Sequence, residues 1–437
     1  MAITARPAQP ASDRAGANKA VAAATVGTVI EWYDYALYGA ASGLIINKLF
    51  FPNLDATTGL LAAFATFAVG YFIRPLGGVV IAHIGDRFGR KPALILTIML
   101  MGLATVLMGL LPTYESVGIA APVLLVLMRL LQGFGAGAEL AGAIVLVAEY
   151  APPGRRAFYT ALPNAATLVG IMLATLSFLT ISNLPEQVLL GWAWRVPFLL
   201  SGVLFLVALY IRRHLDETPE YVAAMARAAA RRHEQRVPIG ELFRNSPREV
   251  LFGFLTVTGH NANAYILSAF SLSYMVNTVG MTRTEGLVAV TIGSLFGIVG
   301  VPAMGLLADR IGSAAVYAGG ALFMFLFSYP LFWLLDLHSV LWATVGIACG
   351  YGIGFGAMAG AQGAFLANLF PTRYRFSGLA MSRELNGVLI AGPTPLIAAY
   401  LVTAAGGKPS LVVAYLMVCC ALSILAILTV RSRSVHQ

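Results

Sequence analysis

Apolar runs of about 20 residues recur along this whole chain, and they leave few folds open. In hydrocarbon every backbone N–H and C=O must be paired within the protein, so a spanning segment is a helix or a strand of a closed barrel. These runs are longer than a barrel strand needs and lack strict alternation, so they read as helices. Composition agrees: 11% of the 437 residues are charged and 59% are hydrophobic, against about 25% charged in a soluble domain. Twelve spans are predicted, near 20–46, 57–83, 92–111, 119–148, 157–182, 194–213, 248–277, 283–308, 314–336, 339–370, 377–405 and 409–431. The 45 glycines suit close helix approach in lipid. The expected class is an all-α membrane protein with 12 transmembrane helices.

Basic residues set its orientation. With the N-terminus inside, the inner loops and tails hold 21 Lys and Arg, while the outer loops hold four: Lys48, Arg195, Arg283 and Lys408. Arg74, Arg129 and Arg383 fall within spans. This bias places both termini in the cytoplasm of a multi-pass protein of the cell (inner) membrane. The net charge of +9 therefore reports topology and does not indicate nucleic-acid binding. Residues 1–18 read as a disordered cytoplasmic tail and not as a cleaved signal peptide, because the first apolar run holds Glu31 and Asp34 and has no small-residue cleavage site. Residues 19–213 and 248–431 form two six-helix bundles, 214–247 a cytoplasmic linker and 432–437 a tail. In the linker, Thr218-Pro219 is an N-cap followed by a first-turn proline, and 220–236 reads as a short basic helix against anionic headgroups. Cys349, Cys419 and Cys420 lie in apolar spans with no metal-ligand spacing, so neither a disulfide framework, a metal nor a cofactor is expected.

The halves repeat. Gly85-Asp86-Arg87-Phe88-Gly89-Arg90-Lys91 follows span 2, and Ala308-Asp309-Arg310-Ile311-Gly312 follows span 8, their aspartates 223 residues apart. Pro153-Gly-Arg-Arg156 and Pro371-Thr-Arg-Tyr-Arg375 follow spans 4 and 10 at an offset of 218. Two matched motifs at nearly one offset make this six spans plus six. Carriers built from such repeats place substrate at the repeat interface near mid-membrane.

The first span carries Glu31 and Asp34, spaced i, i+3 and so on one helix face. Placing Asp at membrane depth costs roughly 2.5–3.5 kcal/mol on an insertion scale. Two carboxylates kept there point to use, and the simplest use is carrying a proton.

The loop motif Asp86-Arg-Phe-Gly-Arg-Lys91 resembles the signature of the major facilitator superfamily. Ala82 stands where that family usually has glycine, which implies looser packing of spans 2 and 11; the second copy keeps Gly305. Glu31-Trp-Tyr-Asp34-Tyr, Phe50-Phe-Pro52, Arg74-Pro-Leu-Gly-Gly78, Arg129-Leu-Leu-Gln-Gly133, Trp194-Arg-Val-Pro-Phe198 and Glu217-Thr-Pro219 are similar to the metabolite:proton symporter branch, with its shikimate, α-ketoglutarate, citrate and proline/betaine carriers, nearest to the shikimate type. The family's Gly-Gly-Glu of span 4 stands here as Gly137-Ala138-Glu139.

The resemblance implies proton-coupled uptake of a small organic acid by alternating access, in a monomer whose partners are substrate, protons and lipid. Asp34, Glu31 and Glu139 become the proton-coupling candidates. Arg129 is expected to pair with the acid of span 1 and to hold a substrate carboxylate once Asp34 is protonated; the competing reading is a static interhelical lock. The other substrate-binding candidates are Tyr38, Gln132, Asn164, His260, Asn263, Tyr265, Gln362 and Asn386, with His260 open between ligand and packing. Asp86 is expected to face the start of span 11 and Asp309 that of span 5. With Arg87, Arg90, Arg155, Arg156, Arg310, Arg373 and Arg375 they form an inner gating layer, which Arg383 joins. Arg74 is given a structural role near the inner end of span 2, with Glu139 as a possible partner. Compatible-solute uptake is the alternative, weakened by the short tail after Arg431. Efflux is disfavoured because span 5, Ala161 to Gly170, lacks the Gly/Pro-rich exporter motif. No nucleophile elbow, phosphate loop or metal cluster suggests an enzyme.

Overall fold

Twelve helical columns follow one another through the described residues, each running against its neighbour. The structure is a computed structural model, and it describes residues 14–88, 90–137, 144, 147–148, 151–214, 239–371 and 375–434, with side chains for all of these but 14–24, 82, 85–88, 90–94, 208, 211–214, 239–240, 376 and 431–434. The columns of the first half are α1 (Arg14–Ala41, continued through Ser42–Ile46 to Asn47–Phe50), α2 (Ala56–Phe72 and Arg74–Phe88), α3 (Arg90–Leu110), α4 (Ala120–Gly135), α5 (Arg156–Leu179) and α6 (Arg195–His214). Those of the second are α7 (Pro247–Tyr265, continued to Val279), α8 (Arg283–Ile311), α9 (Ser313–Asp336), α10 (Val340–Cys349 through Gly356–Leu369), α11 (Arg375–Asn386 through Thr394–Ala404) and α12 (Ser410–Ser434). All twelve predicted spans are met by a column. Among the described residues, seven helices are long and apolar enough to cross a bilayer, or eight with the pair Glu186–Ala193 and Arg195–Val207, bent by 40°. The linker helix expected over 220–236 lies outside the described residues; a short helix, Ile239–Asn245, precedes α7 and buries Leu242 against Val250 and Phe370.

Local chemistry sets the column ends. Asp55 caps α2, accepting from the backbone N–H groups of Thr57 and Thr58 at 3.1 Å. Thr282 and Glu285 form a reciprocal capping box at the start of α8. Gly280 ends α7 in the left-handed region, and Gly312 turns α8 into α9 with φ +97°, where an L side chain is strained. Wider π turns interrupt α1, α7, α10 and α11. Such turns displace backbone groups and often mark functional segments; that at Ile266–Phe270 lies in the wall between the halves.

Packing inside each half rests on backbone contact at glycine. A Cβ on Gly77 would lie 2.0 Å from the Phe134 carbonyl oxygen, and one on Gly133 would lie 1.9 Å from that of Gly70. These contacts lock α2 to α4. In the second half, a Cβ on Gly300 would lie 2.3 Å from the Gly352 oxygen, and one on Gly360 would lie 2.6 Å from that of Val301, locking α8 to α10. Gly77 and Gly300 are 223 residues apart, as are Gly137 and Gly360. That is the offset of the two loop aspartates, so the repeat seen in loop motifs extends into the packing. Twelve crossings return the chain to the face where it began, here called the terminal face.

Gly133→Ala should therefore destabilise by more than the ~1–3 kcal/mol usual for overpacking. Gly319→Ala, which meets nothing within 4 Å, should leave stability unchanged. Thermal denaturation of the purified protein in detergent checks both.

Candidate functional site

A narrow cavity lies between the halves, lined by Trp32 and Tyr35 of α1, Phe67 of α2, Thr175 of α5, and Tyr265 and Ser268 of α7, among others. It has room for about one water molecule. The halves touch on both sides of it. Toward the far face, α1 meets α7: a Cβ on Gly43 would lie 2.9 Å from Ser273 Cβ, and Asn277 Nδ2 donates to the Gly43 carbonyl at 2.8 Å. There α5 and its following loop also bond α8 through Thr291–Thr175 (2.7 Å) and Ser182–Thr284 (2.8 Å). Toward the terminal face, the Tyr71 and Tyr265 hydroxyls bond each other across the halves, with Trp32 stacked on Tyr265 at 5.9 Å.

One turn beyond Tyr71, Arg74 follows the non-helical Ile73 and reaches carboxylates of both halves. Its guanidinium donates to Glu31 Oε1 of α1 and to Glu384 Oε2 of α11, each at 3.3 Å. It lies 5.2 Å from the Tyr35 ring centroid and 5.4 Å from that of Tyr71, close enough for cation–π attraction. Neighbouring Arg383 donates to Gln362 Oε1 at 2.5 Å, and Gln362 donates to the Tyr317 hydroxyl, which in turn donates to the Thr256 carbonyl. Sequence reasoning kept Arg74 structural and gave Glu384 no role. An unexplained acid beside Arg383 at membrane depth was the signal, because such a charge needs a partner.

Asp34 and Arg129 are both fully buried, but no ion pair joins them, which corrects the expected contact. Arg129 donates instead to the Phe67 carbonyl at 2.8 Å, the Thr66 carbonyl at 3.4 Å and Gln132 Oε1, and its guanidinium lies 4.1 Å from the Tyr38 ring centroid. The physical reason is Gly70: a Cβ there would lie 2.8 Å from the guanidinium, so the missing side chain makes the slot that takes it. Gln132 Nε2 donates to the Thr105 hydroxyl at 2.8 Å. Asp34 accepts from Ser201 of α6 at 2.5 Å, with Thr105 beside it, while Oδ2 has no hydrogen-bond partner. Thr105, whose hydroxyl donates to the Met101 carbonyl at 3.0 Å, thus stands between the acid and the Gln132–Arg129 pair, and acid and arginine do not touch.

The remaining candidates divide. Tyr265 lines the cavity, whereas Tyr38 and Gln132 wall the Arg129 slot and Tyr38 bonds Thr66 at 2.6 Å. Asn164 donates to the Ala359 carbonyl at 2.9 Å, tying α5 to α10. His260 stacks on Phe355 at 4.7 Å with Nδ1 lacking a partner. Asn263, expected at the cavity, instead faces α12 and donates to Cys420 Sγ at 3.2 Å and to the Gly259 carbonyl of the preceding turn at 2.7 Å, less than one turn before the Ile266–Phe270 distortion. Asn386 accepts from Asn261 at 2.7 Å and donates to Thr258, so it braces α7 against α11. On the terminal face Asp309 accepts from the backbone N–H groups of Ala157 (2.8 Å) and Phe158 (2.9 Å), the expected start of α5. Arg156 donates to Asn368 at 2.8 Å, while Arg155 and Arg310 are exposed and Arg375 is half-buried. Glu139 and Arg373 lie outside the described residues, as do the side chains of Asp86, Arg87 and Arg90.

Asp309→Ala removes acceptors from a helix start, so thermal stability should fall by about 0.5–2 kcal/mol. A thermal scan with no shift would contradict the contact.

The Major Facilitator Superfamily profile matches residues 24–391. The shikimate transporter of Escherichia coli is 35% identical over 98% of both chains. A glycine betaine/proline/ectoine/pipecolic acid transporter of Dickeya dadantii is 35% identical over 88% of this chain and 77% of its own. A proline/betaine transporter of Salmonella typhimurium is 33% identical over 88% and 78%. Among solved structures, a D-xylose-proton symporter has a TM-score of 0.70 at 18% identity, covering 94% of this chain and 96% of that one. The partially occluded, inward-open xylose transporter of Escherichia coli has a TM-score of 0.71 at 15% identity, covering 95% and 97%. At these identities the structures speak to the fold alone.

Proposed function

The chain belongs to the Major Facilitator Superfamily, and from that premise we propose that it imports a small organic acid with protons by alternating access. The family and its relatives are multi-pass membrane transporters and not enzymes. The proposed cargo follows the relative that matches end to end, a shikimate transporter. The terminal face is assigned to the cytoplasm, from the excess of basic loop residues.

The observation that carries proton coupling is Asp34. It is fully buried on α1, a cavity-lining helix, where the Ser201 hydroxyl donates to it, Thr105 lies beside it and no ion pair among the described residues answers its charge. A buried charge so thinly solvated is costly, and a proton removes it. In this reading a proton on Asp34 changes what Thr105 and Gln132 present to Arg129, and the loaded carrier reorients without a net intramembrane charge. The contacts on both sides of the cavity suit a state between the two openings, in which cargo space is closed.

The driving force bounds the performance. A monoanion entering with one proton is electroneutral and draws on the pH term alone, about 1.4 kcal/mol per unit. That is about tenfold accumulation per pH unit. Compatible-solute uptake is a second reading, supported by the aromatic lining, which suits a quaternary ammonium. A proteoliposome uptake panel of shikimate, quinate, dicarboxylates and betaine, with and without a pH gradient, separates the two.

Asp34→Asn should abolish accumulation driven by a pH gradient and spare counterflow exchange. Substrate-dependent acidification of the lumen by this variant would remove Asp34 from the proton path.

A further inference from the structure

Three arginines at membrane depth differ in what holds them. Arg129 is sealed in its slot by two backbone carbonyls and Gln132. Arg383 is engaged by a neutral amide of its own half. Arg74 faces a carboxylate from each half, and its side chain is 13% exposed. We propose that Arg74 is the anchor for the substrate carboxylate, and that Glu384 is a placeholder that gives way when substrate arrives. This rests on the reading of an organic acid as cargo.

Geometry supports the exchange. Charge-assisted N–H···O bonds usually measure about 2.7–2.9 Å, whereas each carboxylate here offers one oxygen at 3.3 Å. A guanidinium prefers a carboxylate that takes two of its N–H groups side by side, so the present partners leave affinity unused. Tyr35 and Tyr71, their ring centroids 5.2 Å apart, together flank one side of the guanidinium and leave its other edges to the carboxylates. Tyr71 and Arg74 share a face of α2, and Tyr71 reaches the cavity-lining Tyr265, so Arg74 lies just past the cavity on its terminal side. Glu384, at 14% exposed, is the partner an entering anion can replace; Glu31, at 2%, is not.

The exchange also couples binding to movement. Among the described residues Arg74–Glu384 is the one ion pair joining the halves, since Arg74–Glu31 and Lys48–Glu186 lie within the first. A substrate carboxylate that takes Arg74 cuts that tie on the terminal side. Charge then sets the proton count. The charged groups at Arg74 are Glu31 on α1 and Glu384 and Arg383 on α11, with the hydroxyls of Tyr35, Tyr71 and Tyr265 around them. Two carboxylates and two guanidinium groups are neutral together, so each carboxylate that enters calls for one proton.

Binding measured by calorimetry on the full-length protein in nanodiscs tests this, with shikimate and its uncharged methyl ester as probes. Wild type should bind the acid and not the ester. Arg74→Gln should weaken acid binding by about 100-fold, with partial recovery in Arg74→Lys. Glu384→Gln should tighten it about tenfold, because the internal competitor is gone; a misfolded protein cannot give that gain. Acid binding within threefold of wild type in Arg74→Gln, or no gain in Glu384→Gln, overturns the anchor while wild-type proteoliposomes still take up acid. Wild type that takes up no acid overturns both the anchor and the functional reading.

Discussion

A charge at membrane depth must be answered largely inside the protein, and Arg74 is answered by α1 and α11 together. Removing one member of a buried pair costs about 3–5 kcal/mol. Parting the halves on the terminal side of the cavity would leave that guanidinium with Glu31 alone, and under the proposal a substrate carboxylate takes the place of Glu384. The Tyr71–Tyr265 bond, the Arg383–Gln362 contact and the Asn386 brace all gather around this point. The proposal thus places cavity, gate and cargo chemistry around one electrostatic requirement.

The rest of the structure divides into contacts that hold and contacts that can change. Within each half, glycines bring backbones together at α2–α4 and α8–α10, and no rotamer change can relieve such a contact. Between the halves, α5 packs along α8, where Gly305 approaches Phe158, and α1 meets α7 at Gly43 and Ser273; hydroxyl and amide bonds, one ion pair and the carboxylate bonds of Asp309 to a helix start join these faces. Bundles locked internally by backbone contact and joined by side-chain packing and polar bonds suit the proposed rocking between two openings.

Much of this was legible in the sequence. Helix number, the six-plus-six repeat and the Asp309 contact follow from apolar run length, motif offset and helix-end electrostatics, which are local or nearly so. What stayed hidden was partner choice. Asp34 and Arg129 both lie at cavity depth, yet the slot opened by Gly70 sends Arg129 to backbone carbonyls. Asn263 looked like a cavity residue by depth, but its rotation about the α7 axis, near a π turn, directs it to Cys420. Glu384 and Arg74 are 310 residues apart, and only the assembled fold brings them together.

The most direct test of proton-coupled acid carriage is the proton-to-substrate ratio in proteoliposomes, read with a lumenal pH dye and radiolabelled shikimate under clamped membrane potential. One proton per carboxylate, with uptake insensitive to voltage and driven by the pH gradient, is the predicted result. Uptake driven by voltage alone, with no proton movement, would contradict it.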